Sequence, residues 1–266
     1  MVTKGVLTHA GPFTILFLRL ALGTAVLLPF AWRKGYRPGD SVKKEFVLFG
    51  LTGMVLHLGF EIVGLRFTSA SIAVLIIATA PVVTAALSLS FLNERLSARQ
   101  GIGLALSLAG VVIITGGQPV SDYPLGWLGS LLVFAGVVTW GIFTVQGKKF
   151  AGRHPWLLAT TAATGASALL SLPLAASEIA VQGAPQWTAE SVTALVYLSV
   201  LAQAAAYALW NLALNHVDAS VAGPYVNLVP VVGVMLALAV GETMGPLQIF
   251  GGLTVATGVW LNHRSG

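Results

Sequence analysis

Nine apolar blocks divide this chain of 266 residues, at 12–32, 46–66, 70–92, 99–117, 125–147, 155–177, 190–215, 219–240 and 246–262. Most are close to twenty residues long, which at ~1.5 Å of rise per residue is the length of helix that crosses the hydrocarbon of a bilayer. Backbone groups in lipid must find partners within the segment, so blocks of this kind read as helices. Strands of a membrane barrel would be about half as long and would alternate. Charged residues make up 9% of the chain and hydrophobic ones 56%, against roughly a quarter charged in a soluble domain. The fold class that follows is all-α: a polytopic membrane helix bundle.

Short polar turns separate the blocks, marked by Arg37-Pro38-Gly39-Asp40, Gly116-Gly117-Gln118-Pro119 and Gly183-Ala184-Pro185. If the loops alternate between the two faces of the membrane, one face receives Arg33, Lys34, Arg37, Lys43, Lys44, Arg95, Arg99, Lys148, Lys149, Arg153 and Arg264, and the other only Lys4 and Arg66. Basic loops stay in the cytoplasm, so the C-terminus is expected inside and residue 1 outside, in the plasma membrane of a bacterium. The formal charge of +5 is then a matter of orientation and does not indicate nucleic acid. The cluster Arg33, Lys34 and Arg37 follows the first block instead of preceding it, so that block is not a cleaved signal peptide of the usual kind. Trp32, Trp127, Trp156, Trp187 and Trp260 fall at block ends, where an indole suits the headgroup boundary, whereas Trp140 and Trp210 lie inside blocks.

Enzymatic chemistry has no foothold in the sequence. There is no Cys, no phosphate-binding Gly-rich loop, no His-Glu-x-x-His and no Gly-x-Ser-x-Gly, and no nucleophile stands at usable spacing from a base. No catalytic residue, metal or cofactor is expected.

The chain matches itself at an offset of 149 residues, aligning Ala70-Ser71 with Ala219-Ser220 and Pro81 with Pro230. After a slip of one residue, Glu94, Gln100, Gly103 and Gly110-Val111 recur as Glu242, Gln248, Gly251 and Gly258-Val259. Ser97-x-x-Gln100 reads as a capping box, Pro246 as a first helical residue, and the glycines as places where helices approach closely in lipid. Glu94 and Glu242 read as capping or loop-ordering groups in tight turns. If blocks six to nine repeat blocks one to four, the unit has five helices. An odd number places the second copy upside down, with the first helix of the first copy lacking. The expected domains are 1–118, an incomplete first repeat, and 119–266, a complete second one.

Thr68-Ser69-Ala70-Ser71, Pro81, Asn93-Glu94-Arg95 and the Gln100, Gly103, Gly110 series resemble the EamA-type pattern of the drug/metabolite transporter superfamily. The resemblance runs over essentially the whole chain. It implies a five-plus-five inverted-repeat permease or exporter that moves small metabolites, amino acids or amphipathic compounds by alternating access. The partners implied are a small-molecule substrate, the lipid bilayer and a second copy in a homodimer. A non-transporting scaffold or regulatory subunit is the alternative that a lacking helix raises.

Repeat transporters hold substrate near the midplane, where helices are interrupted. Pro81 and Pro230 fall half-way along their blocks, remove a donor from the carbonyls of Ile77 and Val226, and are the candidate hinges. Arg19 and Glu61 are the ionisable groups well inside blocks; both lie in the outer half, where they are placed to pair. His57 is one helical turn from Glu61, and a proton is one ligand the two could share. The offset sets Glu61 opposite Trp210, which makes the site chemically lopsided. Trp140, Tyr207, Asn211, Tyr225 and Asn227 complete the candidate substrate-binding set, offering π faces and neutral hydrogen bonds to an amphipathic cargo.

Overall fold

A computed structural model of the chain describes residues 2–115, 124–229, 231, 232 and 245–263. Pro230, Glu242, Arg264, the 116–119 turn and much of the 219–240 block lie outside the described residues. Among those described, every regular element is helical. They are α1 (Val2–Val6), α2 (Pro12–Trp32), a 3-10 turn at Pro38–Val42, α3 (Lys44–Gly64), α4 (Ala70–Ile77) and α5 (Ala80–Phe91). There follow α6 (Ala98–Thr115), α7 (Gly126–Phe150), α8 (Trp156–Gln182), α9 (Ala189–Ala213), α10 (Ala219–Ala222), a 3-10 turn at Gly223–Asn227, and α11 (Pro246–His263). Among the described residues, six helices are long and apolar enough to cross a bilayer: α2, α3, the α4–α5 pair from Ile72 to Phe91, α7, α8 and α9.

Helix starts follow from local chemistry. Ser69 Oγ accepts from Ile72 N at 3.1 Å at the start of α4. Ser97 and Gln100 cap each other's backbone N–H groups at 2.8 and 3.2 Å at the start of α6, the capping box read from the sequence. Gly245 N donates to Gln248 Oε1 at 2.6 Å just before α11. The start of α2 is served from afar: Glu178 of α8 accepts from Phe13 N at 3.3 Å and from Thr14 N and Thr14 Oγ1 at 2.8 Å. Gly11 is needed there, since a Cβ would overlap the Glu178 carboxylate.

Two irregularities matter for the site. Both α3 and α9 contain one π-helical stretch, Leu51–Leu56 and Val200–Ala205, which begin 149 residues apart. Such stretches displace the hydrogen-bond ladder by one residue and recur at functional sites. The third predicted block is not a single kinked helix around Pro81. It breaks at Ala78–Thr79, and Pro81 sits in the first turn of α5, the position where the missing N–H costs nothing.

Glycines fix a close helix–helix contact in the bundle. Along α6 and α11, which run antiparallel, a Cβ on Gly103 would lie 2.6 Å from the Gly258 carbonyl, and one on Gly110 2.7 Å from the Gly251 carbonyl. The two backbones therefore touch directly, as is usual for small residues in lipid. Elsewhere the core is made from large apolar groups. Phe49 and Phe143 stack at 4.4 Å among the buried Ile15, Leu16, Leu20, Met54 and Leu58. Outside the spans, Lys43 Nζ at 2.6 Å and Arg37 N at 2.7 Å both donate to Asp40, and these bonds hold its carboxyl below the ordinary carboxylate range.

Candidate functional site: a cavity between the helices

A cavity of about 480 Å³ opens where α2, α3, the α4–α5 junction, α7, α9 and the Gly223–Asn227 turn converge. Its walls include Arg19, His57, Glu61, Trp140, Tyr207, Trp210 and Tyr225, the larger part of the candidate set. These residues come from α2, α3, α7, α9 and the Gly223–Asn227 turn, so their convergence at one cavity is a property of the fold and not of sequence proximity alone. The remaining wall is apolar, with Leu58, Ile77, Ala80, Val133 and Val137 among its members.

The polar flank is carried by α2 and α3. Arg19 is buried, and its Nε has no hydrogen-bond partner. His57 Nδ1 lies 2.9 Å from the Gly136 carbonyl. The ring needs that approach: a Cβ at Gly136 would sit 3.1 Å from the His57 carbonyl oxygen. On its other side His57 Nε2 lies 3.8 Å from Glu61 Oε2, the one-turn pairing that the sequence spacing implies. Among the described residues this is the ion-pair contact that Glu61 makes. Arg19 and Glu61 both line the cavity, and among the described residues they form no ion pair with each other.

Against this polar group packs an aromatic cluster. The Trp140 ring is the hub, 5.1 Å from His57, 5.1 Å from Trp210 and 5.6 Å edge-on from Tyr207. Both indole Nε1 groups are buried without a partner. Tyr207 OH donates to the Gly53 carbonyl at 3.0 Å, and Gly53 lies within the π-helical stretch of α3. Tyr207 follows the corresponding stretch of α9 by two residues, so this hydrogen bond ties the α3 stretch to the helix just beyond the α9 stretch.

Asn211 and Asn227 face elsewhere. Asn211 Nδ2 donates to Thr160 Oγ1 at 2.9 Å and Asn227 Nδ2 to Ser107 Oγ at 3.1 Å. Both are interhelical ties, buried at 5% and 1% exposure, and neither lines the cavity. Pro81 does not line it either, although Ile77, the residue whose carbonyl it cannot serve, does. Pro230 lies outside the described residues. Sequence reasoning missed Gln203, fully buried in the α9 π-helical stretch with both amide atoms unpartnered. It also missed the small wall residues Ala202 and Ala206, for which a run of alanines in an apolar helix gives no signal.

A bilayer-spanning bundle around a cavity lined by charged groups, π surface and apolar side chains is suited to holding a small molecule. Comparison with known proteins gives this a family. The chain matches the EamA-like transporter family over residues 1–116 and 127–264. It belongs to that family. Among its relatives is an uncharacterized transporter of Archaeoglobus fulgidus, 28% identical over 264 residues, covering 96% of this chain and 89% of that one. A probable terminal-alkyne amino-acid exporter of Streptantibioticus cattleyicolor is 28% identical, covering 92% of this chain and 82% of its own. A probable amino-acid metabolite efflux pump of Salmonella typhimurium is 25% identical, covering 80% and 74%. One solved protein structure superposes with a TM-score of 0.81 at 20% identity, over 97% of this chain and 89% of that chain, a likeness of fold alone. The protein is thus a multi-pass membrane transporter of the EamA type, not an enzyme.

Proposed function

We propose that this EamA-type protein exports amphipathic, zwitterionic small molecules of amino-acid type by alternating access around the cavity. The observation that carries the reading is the mixed chemistry of the cavity wall. A buried guanidinium with an unpartnered Nε suits a carboxylate. Glu61, whose ion-pair contact among the described residues is the 3.8 Å approach of His57, suits an ammonium group. Trp140, Trp210 and Tyr225 suit an apolar or aromatic side chain. The names of the amino-acid exporters among the relatives point the same way.

Alternating access requires two halves that rock about a fixed site. Two features support an inverted repeat here. The π-helical stretches stand 149 residues apart in α3 and α9, the offset of the sequence self-match. The contacts Gly103–Gly258 and Gly110–Gly251 exchange with each other when one repeat is mapped on the other. Basic loops orient the chain with its C-terminus in the cytoplasm, and Glu61 is the group placed to exchange a proton for cargo.

The test is efflux from proteoliposomes of a panel of amino acids and their derivatives, with and without a pH gradient. Trp210→Ala is expected to lower flux about ten-fold for aromatic and long apolar substrates and less for small ones, as loss of one stacking wall implies. Glu61→Gln is expected to remove the gradient dependence. Flux of neutral amines or of anions without an ammonium group, undiminished in Glu61→Gln, would refute the zwitterion reading.

A further inference from the structure

At the basic end of the bundle, the turn between α9 and α10 is held from two directions by residues that touch nothing in the cavity. Glu94, in the α5–α6 turn, accepts from Ala219 N and Ser220 N at 3.0 Å each, one backbone donor to each carboxylate oxygen. Lys148, near the end of α7, donates from Nζ to the Val217 carbonyl at 2.8 Å and lies 3.2 Å from Asp218 Oδ1.

The start of α10 is unusual in one respect. Asp218 occupies its N-cap position, yet its side chain makes no capping bond. Its carboxylate faces Lys148 instead, and the first donors of α10 are served by Glu94, 125 residues away in sequence for Ala219. A helix usually supplies its own cap; this one is capped only while the α5–α6 turn is docked against it. Asn93 makes the docking possible. It is the one non-glycine residue with positive φ, 55°, among those described. Asn tolerates that left-handed conformation, and the turn it makes carries Glu94 off the end of α5.

Each element tied at this point also lines the cavity. The α5 helix contributes Ala80 at its other end, α7 contributes Trp140 two turns before Lys148, and the segment after α10 contributes Tyr225 and Val226. Pro81 of α5 packs on Gly223, where a Cβ would lie 3.3 Å from Pro81 Cα. A movement that parts these three elements at the basic end would open the cavity there, and it must first break the Glu94 and Lys148 contacts.

We propose that Glu94 and Lys148 form the latch of a gate at the basic end, a two-point clamp on the α9–α10 turn that keeps the cavity closed to that side until it releases. The proposal rests on the cavity being the transport site, but its test does not require knowing the cargo. The chain has no Cys, so Ala206→Cys gives a single reporter in the cavity wall. Gly39→Cys, in the open loop of the basic end, identifies which face of a vesicle presents that end.

Labelling of the Ala206→Cys parent by a membrane-impermeant maleimide from the basic end should be slow. In Glu94→Ala and in Lys148→Met it should speed up about ten-fold, the shift expected from losing a charge-assisted hydrogen bond in the closed state. From the opposite end the rate should stay the same or fall. Lys148→Arg, which keeps the donor and the charge, should label like the parent. Asp218→Asn is an exposed change that does not threaten folding, and it should give a smaller rise of about two-fold. Parent-like labelling in folded Glu94→Ala and Lys148→Met, or an equal rise from both ends, would overturn the latch. If either fails to fold, parent-like labelling in Asp218→Asn does so. If the latch variants label as expected while no compound in the efflux panel moves, the zwitterion reading falls and the latch stands.

Discussion

The α6–α11 seam and the cavity are built from opposite materials. The seam is made of absent side chains: Gly103, Gly110, Gly251 and Gly258 let two backbones meet with no space left over. The cavity is bordered by large side chains whose rings touch along its wall yet leave about 480 Å³ open and several N–H donors without partners. Lipid explains why both can exist in one bundle. Helix association there depends on close van der Waals contact, so the seam supplies cohesion. Unpartnered polar groups cost free energy wherever they are buried, so the cavity spends part of that cohesion.

Breaking the seam should have the largest effect. A Cβ on Gly258 would sit 2.5 Å from Ser107 N and 2.6 Å from the Gly103 carbonyl, both backbone atoms that cannot step aside. Gly258→Val is therefore expected to cost at least about 3 kcal/mol. Expressed in membranes, it should give little monodisperse protein on size-exclusion chromatography. Gly101, with nothing within 4 Å of its would-be Cβ, is the control on α6, the other helix of the seam. A Gly101→Val protein as damaged as Gly258→Val would show that the seam is not where cohesion resides.

Arg19→Met tests the opposite side of the comparison. The guanidinium is buried at 5% exposure with its Nε unpartnered, so replacing it by an apolar side chain of similar length should leave thermal stability unchanged or raise it. Flux of zwitterionic cargo should fall on the order of 100-fold, as when one partner of a buried charge pair is removed. The two variants thus separate: Gly258→Val loses folded protein, Arg19→Met keeps it and loses transport. Equal stability loss in both would mean that Arg19 holds the bundle together and is not reserved for a ligand.

How much of this was legible in the sequence follows the same division. Apolar block length disclosed the spanning helices, because the bilayer imposes a length that composition cannot disguise. Repeated spacing disclosed the seam glycines and the Ser97–Gln100 box, because both depend on fixed intervals along a helix. The charged members of the cavity were legible for a third reason: Arg19 and Glu61 are too costly in lipid to be there without cause. What could not be read was direction. Asn211 and Tyr207 are four residues apart on one helix, yet Tyr207 borders the cavity while Asn211 bonds to Thr160 of α8. Choosing between them needs the positions of the neighbouring helices. The break at Ala78–Thr79 was likewise hidden, since Pro81 is compatible both with a kink inside one helix and with the first turn of a new one.

Asp40 sharpens the comparison from a third position, because it is a buried charge with its partners in place. Its carboxylate takes hydrogen bonds from Lys43 Nζ and Arg37 N, and these depress its pKa in the folded protein. Ionised Asp40 is thus favoured by folding, so its contribution to stability is complete above the ordinary carboxylate value of about 4 and is lost as pH falls through the lower folded value. Arg19 carries no carboxylate and should add nothing to this acid limb. Thermal melts of the purified protein between pH 7 and pH 3 should therefore show a decline at the acid end that is shallower in Asp40→Asn and unchanged in Arg19→Met. The effect is the smallest of the three, because Lys43 is largely exposed and its contact with Asp40 is open to solvent screening. A slope identical in Asp40→Asn and the parent would mean that these hydrogen bonds do not stabilise the folded loop, and that partnered and unpartnered charges in this bundle are not distinguished in the way the seam and the cavity imply.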